Sequence, residues 1–186
     1  MSEEKKSEEK INWKKEIWEW VKIILAAAAI AFLVNHFLIA NSWVPSGSME
    51  NTIMTGDRVI GSRLSYRFGE PERGDIVIFD HENGPSKKEI HYVKRIIGLP
   101  GETLDIRDGH VYINGSETPL EEPYLKEEMD PSENKHFEIP EGCYFMMGDN
   151  RNLSADARGW SDPYVPKSKI IAKVQFRYFP KPGKVK

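Results

Sequence analysis

Residues 23–40 read Ile-Ile-Leu-Ala-Ala-Ala-Ala-Ile-Ala-Phe-Leu-Val-Asn-His-Phe-Leu-Ile-Ala, and among these 18 positions only Asn35 and His36 are polar. A helix rising ~1.5 Å per residue covers roughly 27 Å over that length, about the thickness of bilayer hydrocarbon. The charge-free stretch is longer still, because after Lys22 no Asp, Glu, Lys or Arg occurs before Glu50. Trp18 and Trp20 precede the segment and Trp43 follows it, positions where amphipathic rings settle at headgroup level. A buried core helix is the competing reading. It fits poorly with a stretch that has almost no polar face and is followed by β-rich sequence. We read 23–40 as a transmembrane helix between a charged segment, 1–22, and a domain over 41–186.

The flanks give the orientation. Lys5, Lys6, Lys10, Lys14, Lys15 and Lys22 precede the span, whereas Arg58 and Arg63 are the first cations after it. The accompanying acidic residues count for little in this rule. The N-terminus is therefore expected in the cytoplasm and the domain outside the cell membrane. A cleaved signal peptide would end in small residues, but Leu38-Ile39-Ala40 has a bulky first position, so the segment reads as an uncleaved signal-anchor.

The rest of the composition narrows the class. A net charge of −3 leaves no basic surplus for holding phosphates, which argues against nucleic acid as a partner. A single cysteine, Cys143, excludes an internal disulfide and a four-thiolate zinc site. With no metal-ligand spacing and no glycine-rich phosphate loop, neither a metal nor another cofactor is expected.

Beyond Ala40 the period changes. Ile76–Phe79, Ile90–Ile97, Leu104–Ile106, Val111–Ile113, Tyr144–Met146 and Ile170–Phe179 are short runs rich in β-branched and aromatic residues. Asp108-Gly109 between two of them predicts a tight hairpin, since a type I′ turn needs positive φ at both central residues. Asn114-Gly115 predicts a second tight turn. No run of ten or more residues after position 41 has helical spacing, so the exterior is expected to be mostly antiparallel β, with a small β excursion at about 102–141. Within it, the acidic, proline-punctuated 120–140 stretch reads as surface rather than core.

Candidate chemistry follows the anchor at once. Pro45-Ser46-Gly47-Ser48-Met49 sets two hydroxyls around a glycine, eight residues past Ala40. At no more than ~3.6 Å per residue, Ser48 lies within about 29 Å of the span's end. A nucleophilic serine needs a base. Of the five histidines, His36 is in the span and His81, His110 and His136 sit in or beside predicted turns; His91 stays open. In the run from His91 to Gly101, strand alternation puts Tyr92, Lys94 and Ile96 on one face. If that face is core, Lys94 is a buried cation, costly unless it gives up its proton. Lowering a lysine from ~10.4 toward ~7–8 takes roughly 3–5 kcal/mol against the ammonium form. A surface lysine snorkelling beside Arg95 is the equal alternative.

The order of these features (anchor, Ser48-Met49, Gly74-Asp75-Ile76-Val77, Tyr92-Val93-Lys94-Arg95-Ile96-Ile97-Gly98-Leu99-Pro100-Gly101, then Gly148-Asp149-Asn150-Arg151) resembles bacterial type I signal peptidases over roughly residues 15–180. The resemblance implies a membrane-bound serine endopeptidase of the signal-peptidase fold. It would remove signal peptides from exported preproteins, after small residues at −1 and −3, alongside the secretion translocase. It also implies Ser48 as nucleophile, Lys94 as general base, Ser46 as an oxyanion donor with the Ser48 N–H, and Ser154 as the residue that hydrogen-bonds the lysine. Met49, Ile53, Tyr92 and Val93 match pocket-lining positions. Asp149, Asp156 and Arg158 would be ion-pair partners around the last motif. The chain departs from the family pattern at Asn51, where proline is usual. It departs again at Asn152, Leu153 and Ala157 in the last motif, which puts that loop's supporting hydrogen bonds in question.

Two rivals stand against this reading. Self-cleaving repressors share the serine–lysine chemistry but carry DNA-binding domains where this chain has its apolar span. A non-enzymatic, membrane-anchored β-domain binding a secreted partner would leave Lys94 without a purpose. If the lysine is a base, Lys94→Arg is expected to be as inactive as Lys94→Ala in precursor cleavage, because guanidinium does not deprotonate in proteins. Appreciable turnover by the arginine variant would point to a purely electrostatic role.

Overall fold

The computed structural model describes residues 12–83 and 88–185. Two compact units divide at the His36–Phe37 junction. The first contains helix α1 (Trp13–Leu33), capped by the Asn12 side chain, which accepts from the Lys15 N–H, with Glu16 in the first turn. None of its residues is buried, and Ile24, Leu25, Ile30 and Phe32 stand exposed. The helical stretch Trp13–Leu38 is long and apolar enough to cross a membrane. The two polar side chains beyond Lys22 are accommodated locally. Asn35 donates back to the Ala31 carbonyl at 3.0 Å, and His36 stacks on Phe32, as a low-dielectric surrounding requires of polar groups.

The structure differs from the expected 23–40 helix at both ends. The helix already begins at Trp13, a π-helical turn covers Val34–Leu38, and Ile39 and Ala40 open a strand. Ladder pairing decides the C-terminal end: Ile39 pairs with Ser62 and Ala40 with Gly61, and the Ala40 side chain is buried. The second unit accordingly starts before residue 41, at Phe37. Of the N-terminal segment, residues 1–11, with Lys5, Lys6 and Lys10, lie outside the described residues.

The strands of the second unit are β1 (Ile39–Trp43), β2 (Arg58–Ser62), β3 (Ile76–Asn83), β4 (Lys88–Gly98), β5 (Thr103–Arg107), β6 (His110–Ile113), β7 (Lys135–Glu138), β8 (Cys143–Met147), β9 (Tyr164–Pro166), β10 (Ile170–Phe179) and β11 (Gly183–Lys184). A four-residue helix, α2 (Ser65–Phe68), lies between β2 and β3. The larger sheet runs β1-β2-β10-β3-β4-β8-β9, with β11 on β10, and all its pairings are antiparallel. Strands β6-β5-β7 form a separate small sheet, the excursion expected near 102–141. Asp108 (φ 50°) and Gly109 (φ 76°) make the tight β5–β6 turn, closed by the Arg107–His110 pair.

Part of the excursion is core, against expectation. Met129 and Ile139 are buried, and the Glu122 carboxylate pairs with the fully buried Arg151 guanidinium. Acidic composition misled here, because a carboxylate facing a buried cation reads the same as a solvated one. His81 lies near the end of β3 and His136 near the start of β7. His81 stacks on Trp160, and His136 bonds Asp105.

The centre of the large sheet positions the chemistry. From Val93 to Gly98 every residue of β4 is buried, so both strand faces are covered. Val93 joins a cluster with Met49, Ile53, Ile76 and Ile78, whereas Ile96 packs with Val77, Phe79 and Met146. Met147 of β8 lies opposite Arg95, so Asp149 arrives just past the strand end. Arg95 grips that carboxylate with two hydrogen bonds, Nε at 2.9 Å and Nη2 at 2.7 Å. Its Nη1 donates to the Gly74 carbonyl at 2.8 Å, and its fork lies over the Tyr124 ring. Arg95→Ala leaves Asp149 buried without its counter-ion. It should lower the unfolding free energy by about 3–5 kcal/mol, read as a shifted denaturant midpoint at constant slope; a shift below 1 kcal/mol would contradict this role.

Candidate active site

Ser48 is held from two directions. Strand β1 delivers the chain to Val44, which exchanges backbone bonds with Asp57 and Gly56, and a 3₁₀ turn follows at Gly47–Met49. Met49 is fully buried and pins that turn into the core. From the other side the Asn150 N–H donates to the Ser48 carbonyl at 3.0 Å, and Asn150 Nδ2 donates to the Gly47 carbonyl at 2.9 Å. A Cβ on Gly148 would stand 2.4 Å from the Ser48 carbonyl oxygen and 2.2 Å from Ser154 Oγ. Only glycine lets the β8 segment pass this close. Ser48 is 7% exposed, and its Oγ lies 3.4 Å from Ser46 Oγ.

Lys94 enters from β4. It is 2% exposed, and the residue opposite it in register is the fully buried Val77. Burial pushes its pKa down from 10.5 to about 8; the Asp156 and Asp149 carboxylates pull the other way, and the Arg158 guanidinium adds to the fall. The open choice between surface and buried lysine is thus decided by packing. Asp156 itself stays ionised. Burial works against its charge, but the Arg158 fork and the Gly148 N–H hold its carboxyl below the usual range.

Ser48 and Lys94 open on one cavity of about 560 Å³, with Ser46, Tyr92 and Val93 in its wall. Five of the residues singled out by sequence are therefore brought together. Met49 and Ile53 are not in that wall: both are fully buried behind Val93, so they back the pocket rather than line it. Ser154 also departs from expectation. Its hydroxyl is buried against Gly148 and beside Asp156, whose ionised form it favours, and makes no hydrogen bond to Lys94. Its neighbours Leu153 and Ala155 line the cavity instead, while Ser154 borders a second hollow beside Arg158 and Trp160. His91 is in the wall, but its ring is 64% exposed and its Nδ1 is engaged with Asp80.

A buried amine at a strand centre, a serine hydroxyl on a tight turn and an apolar cleft over both suit acyl transfer. The profile described as "Signal peptidase, peptidase S26" matches residues 17–179 of this chain. The chain belongs to the signal peptidase S26 family. It is 38% identical to signal peptidase I of Bacillus licheniformis over 97% of this chain and 96% of that one. It is 37% identical to signal peptidase I T of Bacillus subtilis (strain 168) over the same shares. A crystal structure of a signal peptidase I from Enterococcus faecalis V583 covers 56% of this chain and 96% of that one, at 31% identity and a TM-score of 0.45.

Within this S26 peptidase the atypical residues have structural work. Asn51 takes a positive φ of 88°, which proline's ring forbids. Its side chain donates to the Tyr124 and Leu125 carbonyls at 3.1 and 3.3 Å, fastening the turn after Ser48 to the excursion; Lys126 to Glu50, at 2.9 Å, adds a second tie. Asn152 bridges the Glu128 carbonyl and the Asp130 N–H, both at 2.9 Å. Ala157 is fully buried, and its N–H donates to the Met146 carbonyl. The loop is therefore well bonded despite its unusual residues.

Sequence reasoning missed two contributors. Arg95 alternates to the face opposite Lys94, where a buried guanidinium calls for a carboxylate, and Asp149 in the Gly148–Arg151 motif was the available signal. Asn150 sits in the same motif, but nothing in the sequence shows that its amide reaches Gly47.

The lowered lysine has a stability consequence. Between pH ~8 and ~10.5 the unfolded chain holds a proton on Lys94 that the folded chain lacks, so stability rises with pH in that window and the penalty is complete below it. Lys94→Met should therefore stabilise the fold at pH 7 by up to roughly 3 kcal/mol, at ~1.4 kcal/mol per pH unit. Its advantage should vanish by about pH 10.5; denaturation at several pH values checks both points.

Proposed function

We propose that Ser48 is the nucleophile and Lys94 the general base of this membrane-anchored signal peptidase, which removes N-terminal signal peptides from exported preproteins. One observation carries the assignment: a nearly buried serine and a buried lysine with pKa lowered to about 8 open on the same cleft. Neutral Lys94 takes the Ser48 Oγ proton, and the oxygen attacks the carbonyl carbon of the −1 residue. The Ser48 N–H and the Ser46 hydroxyl stabilise the oxyanion. The resulting ammonium gives its proton to the leaving amine as the peptide bond breaks and an ester forms. Water then loses a proton to Lys94, attacks the ester, and releases the signal peptide as Ser48 recovers its proton.

Tyr92 and Val93 form the walls that admit small residues at −1 and −3, with Met49 and Ile53 holding Val93 in place. The anchor keeps the N-terminus in the cytoplasm and the catalytic domain on the outer face of the plasma membrane, beside the translocase that delivers precursors. Enzyme and substrate then share one bilayer, which raises effective concentration and relieves the cleft of strong binding.

His91, with Asp80 behind it, is another candidate base within the same wall. The pH profile separates the two. With Lys94 as base, kcat/KM for a signal-peptide substrate rises about tenfold per pH unit up to a midpoint near 8, and that limb persists in His91→Ala. Ser48→Ala and Lys94→Ala each fall to background while remaining folded. A rising limb that disappears in His91→Ala, or turnover without Ser48, would overturn the assignment.

A further inference from the structure

The carbonyl of Gly47 and the N–H of Ser48 belong to one peptide unit. In a planar trans peptide they point in opposite directions, so whatever fixes the carbonyl also aims the N–H. Two donors fix it here: the Glu50 N–H at 3.1 Å and the Asn150 side-chain amide at 2.9 Å. The Glu50 bond is the local 3₁₀ turn and moves with the loop. The Asn150 bond comes from a separate part of the chain, anchored through the Asn150 N–H to the Ser48 carbonyl and through neighbouring Asp149 to Arg95. Standing in the first turn, the Ser48 N–H has no intrahelical acceptor and is free to serve another oxygen.

Asn150 is 1% exposed and lines the cavity beside Gly47 and Ser48. Its Oδ1 is buried without a partner. Turning the amide over would not solve this, since it would press Oδ1 against the Gly47 carbonyl, acceptor on acceptor. The amide is thus held by its one donated bond, with an acceptor left unsatisfied, a condition that marks functional positions more than inert cores.

We propose that Asn150 is a positioning residue for the oxyanion step: its amide locks the Gly47–Ser48 peptide plane so that the Ser48 N–H is aimed before substrate arrives. Pre-aimed donors act without reorganisation during the reaction. The inference rests on the reading of Ser48 as nucleophile.

The full-length chain in detergent micelles, assayed with a signal-peptide substrate, tests it through Asn150→Asp and Asn150→Ala. The aspartate keeps the shape but replaces the donor by an acceptor, and the alanine removes the group. Asn150→Asp should lower kcat by roughly 10²-fold and Asn150→Ala by somewhat less, with KM little changed, as for a misplaced catalytic group. A peptide aldehyde, which forms a tetrahedral adduct on Ser48, should lose affinity in step with kcat, while the corresponding peptide alcohol binds as to wild type. An unchanged kcat in both variants, equal losses of aldehyde and alcohol affinity, or a loss that only follows the unfolded fraction in thermal melts would each overturn the proposal. Should Asn150→Asp not fold, Asn150→Ala carries the same readouts. Ser48→Ala serves as the control. Retained turnover there sinks the nucleophile reading itself, whereas an inactive Ser48→Ala beside normal Asn150 variants sinks only the role of Asn150.

Discussion

A lysine amine shut away from water governs this structure. Lys94 is covered on a central strand whose two faces both pack against other residues, with Val77 directly across the ladder. An ammonium there loses hydration that apolar neighbours do not replace. Two carboxylates, on Asp149 and Asp156, soften that penalty without removing it, and Arg158 restores part of it. The balance lands near pH 8, where a useful fraction of the amine is neutral and yet the protonated form is still accessible. A base that must accept a proton in one step and donate it in the next works best near that point.

Charge around the lysine is arranged so that the counter-ions are already occupied. Asp149 is spoken for by Arg95 and Thr52, and Asp156 by Arg158 and the Gly148 N–H. Neither carboxylate is left to form a direct ion pair with Lys94, which would hold it protonated. The same bonds fix the 148–158 loop, and that loop in turn holds Gly47 and Ser48 through Asn150. Electrostatic tuning of Lys94, the proposed base, and placement of Ser48, the proposed nucleophile, therefore depend on one set of contacts. The excursion joins this set through Glu122 on Arg151, Tyr124 over Arg95, and the Asn51 and Glu50 ties.

The membrane helix and the β-domain meet different demands. Trp13–Leu38 leaves its apolar side chains exposed, and its Trp13–Leu33 part is α-helix bonded within itself, which is what lipid asks of a span. The β-domain buries alternate residues on one chain segment after another, and the turn that carries Ser48 comes within ten residues of β1's first pair. Chemistry placed so close to the anchor in sequence suits a substrate that is itself tethered by an apolar segment.

The anchor, the β character of the remainder, the Asp108-Gly109 turn and the cluster Ser46, Ser48, Tyr92, Val93 and Lys94 were legible in the sequence, because each rests on local signals: an apolar run, a period of two, a turn dipeptide, a motif. Other features depend on which distant groups meet. Strand β2 is interrupted by Gly61 and β7 is polar, so neither announces itself, and Ile39-Ala40 became strand only because Ser62 and Gly61 were there to pair with them. Arg95 reads as a surface cation until Asp149 lies beside it, Glu122 as a solvated carboxylate until Arg151 does, and the Ser154 hydroxyl as the lysine's partner, whereas it lies against Gly148. The chain order set which groups were available; tertiary packing alone decided which were desolvated, and desolvation is what turns a lysine into a base.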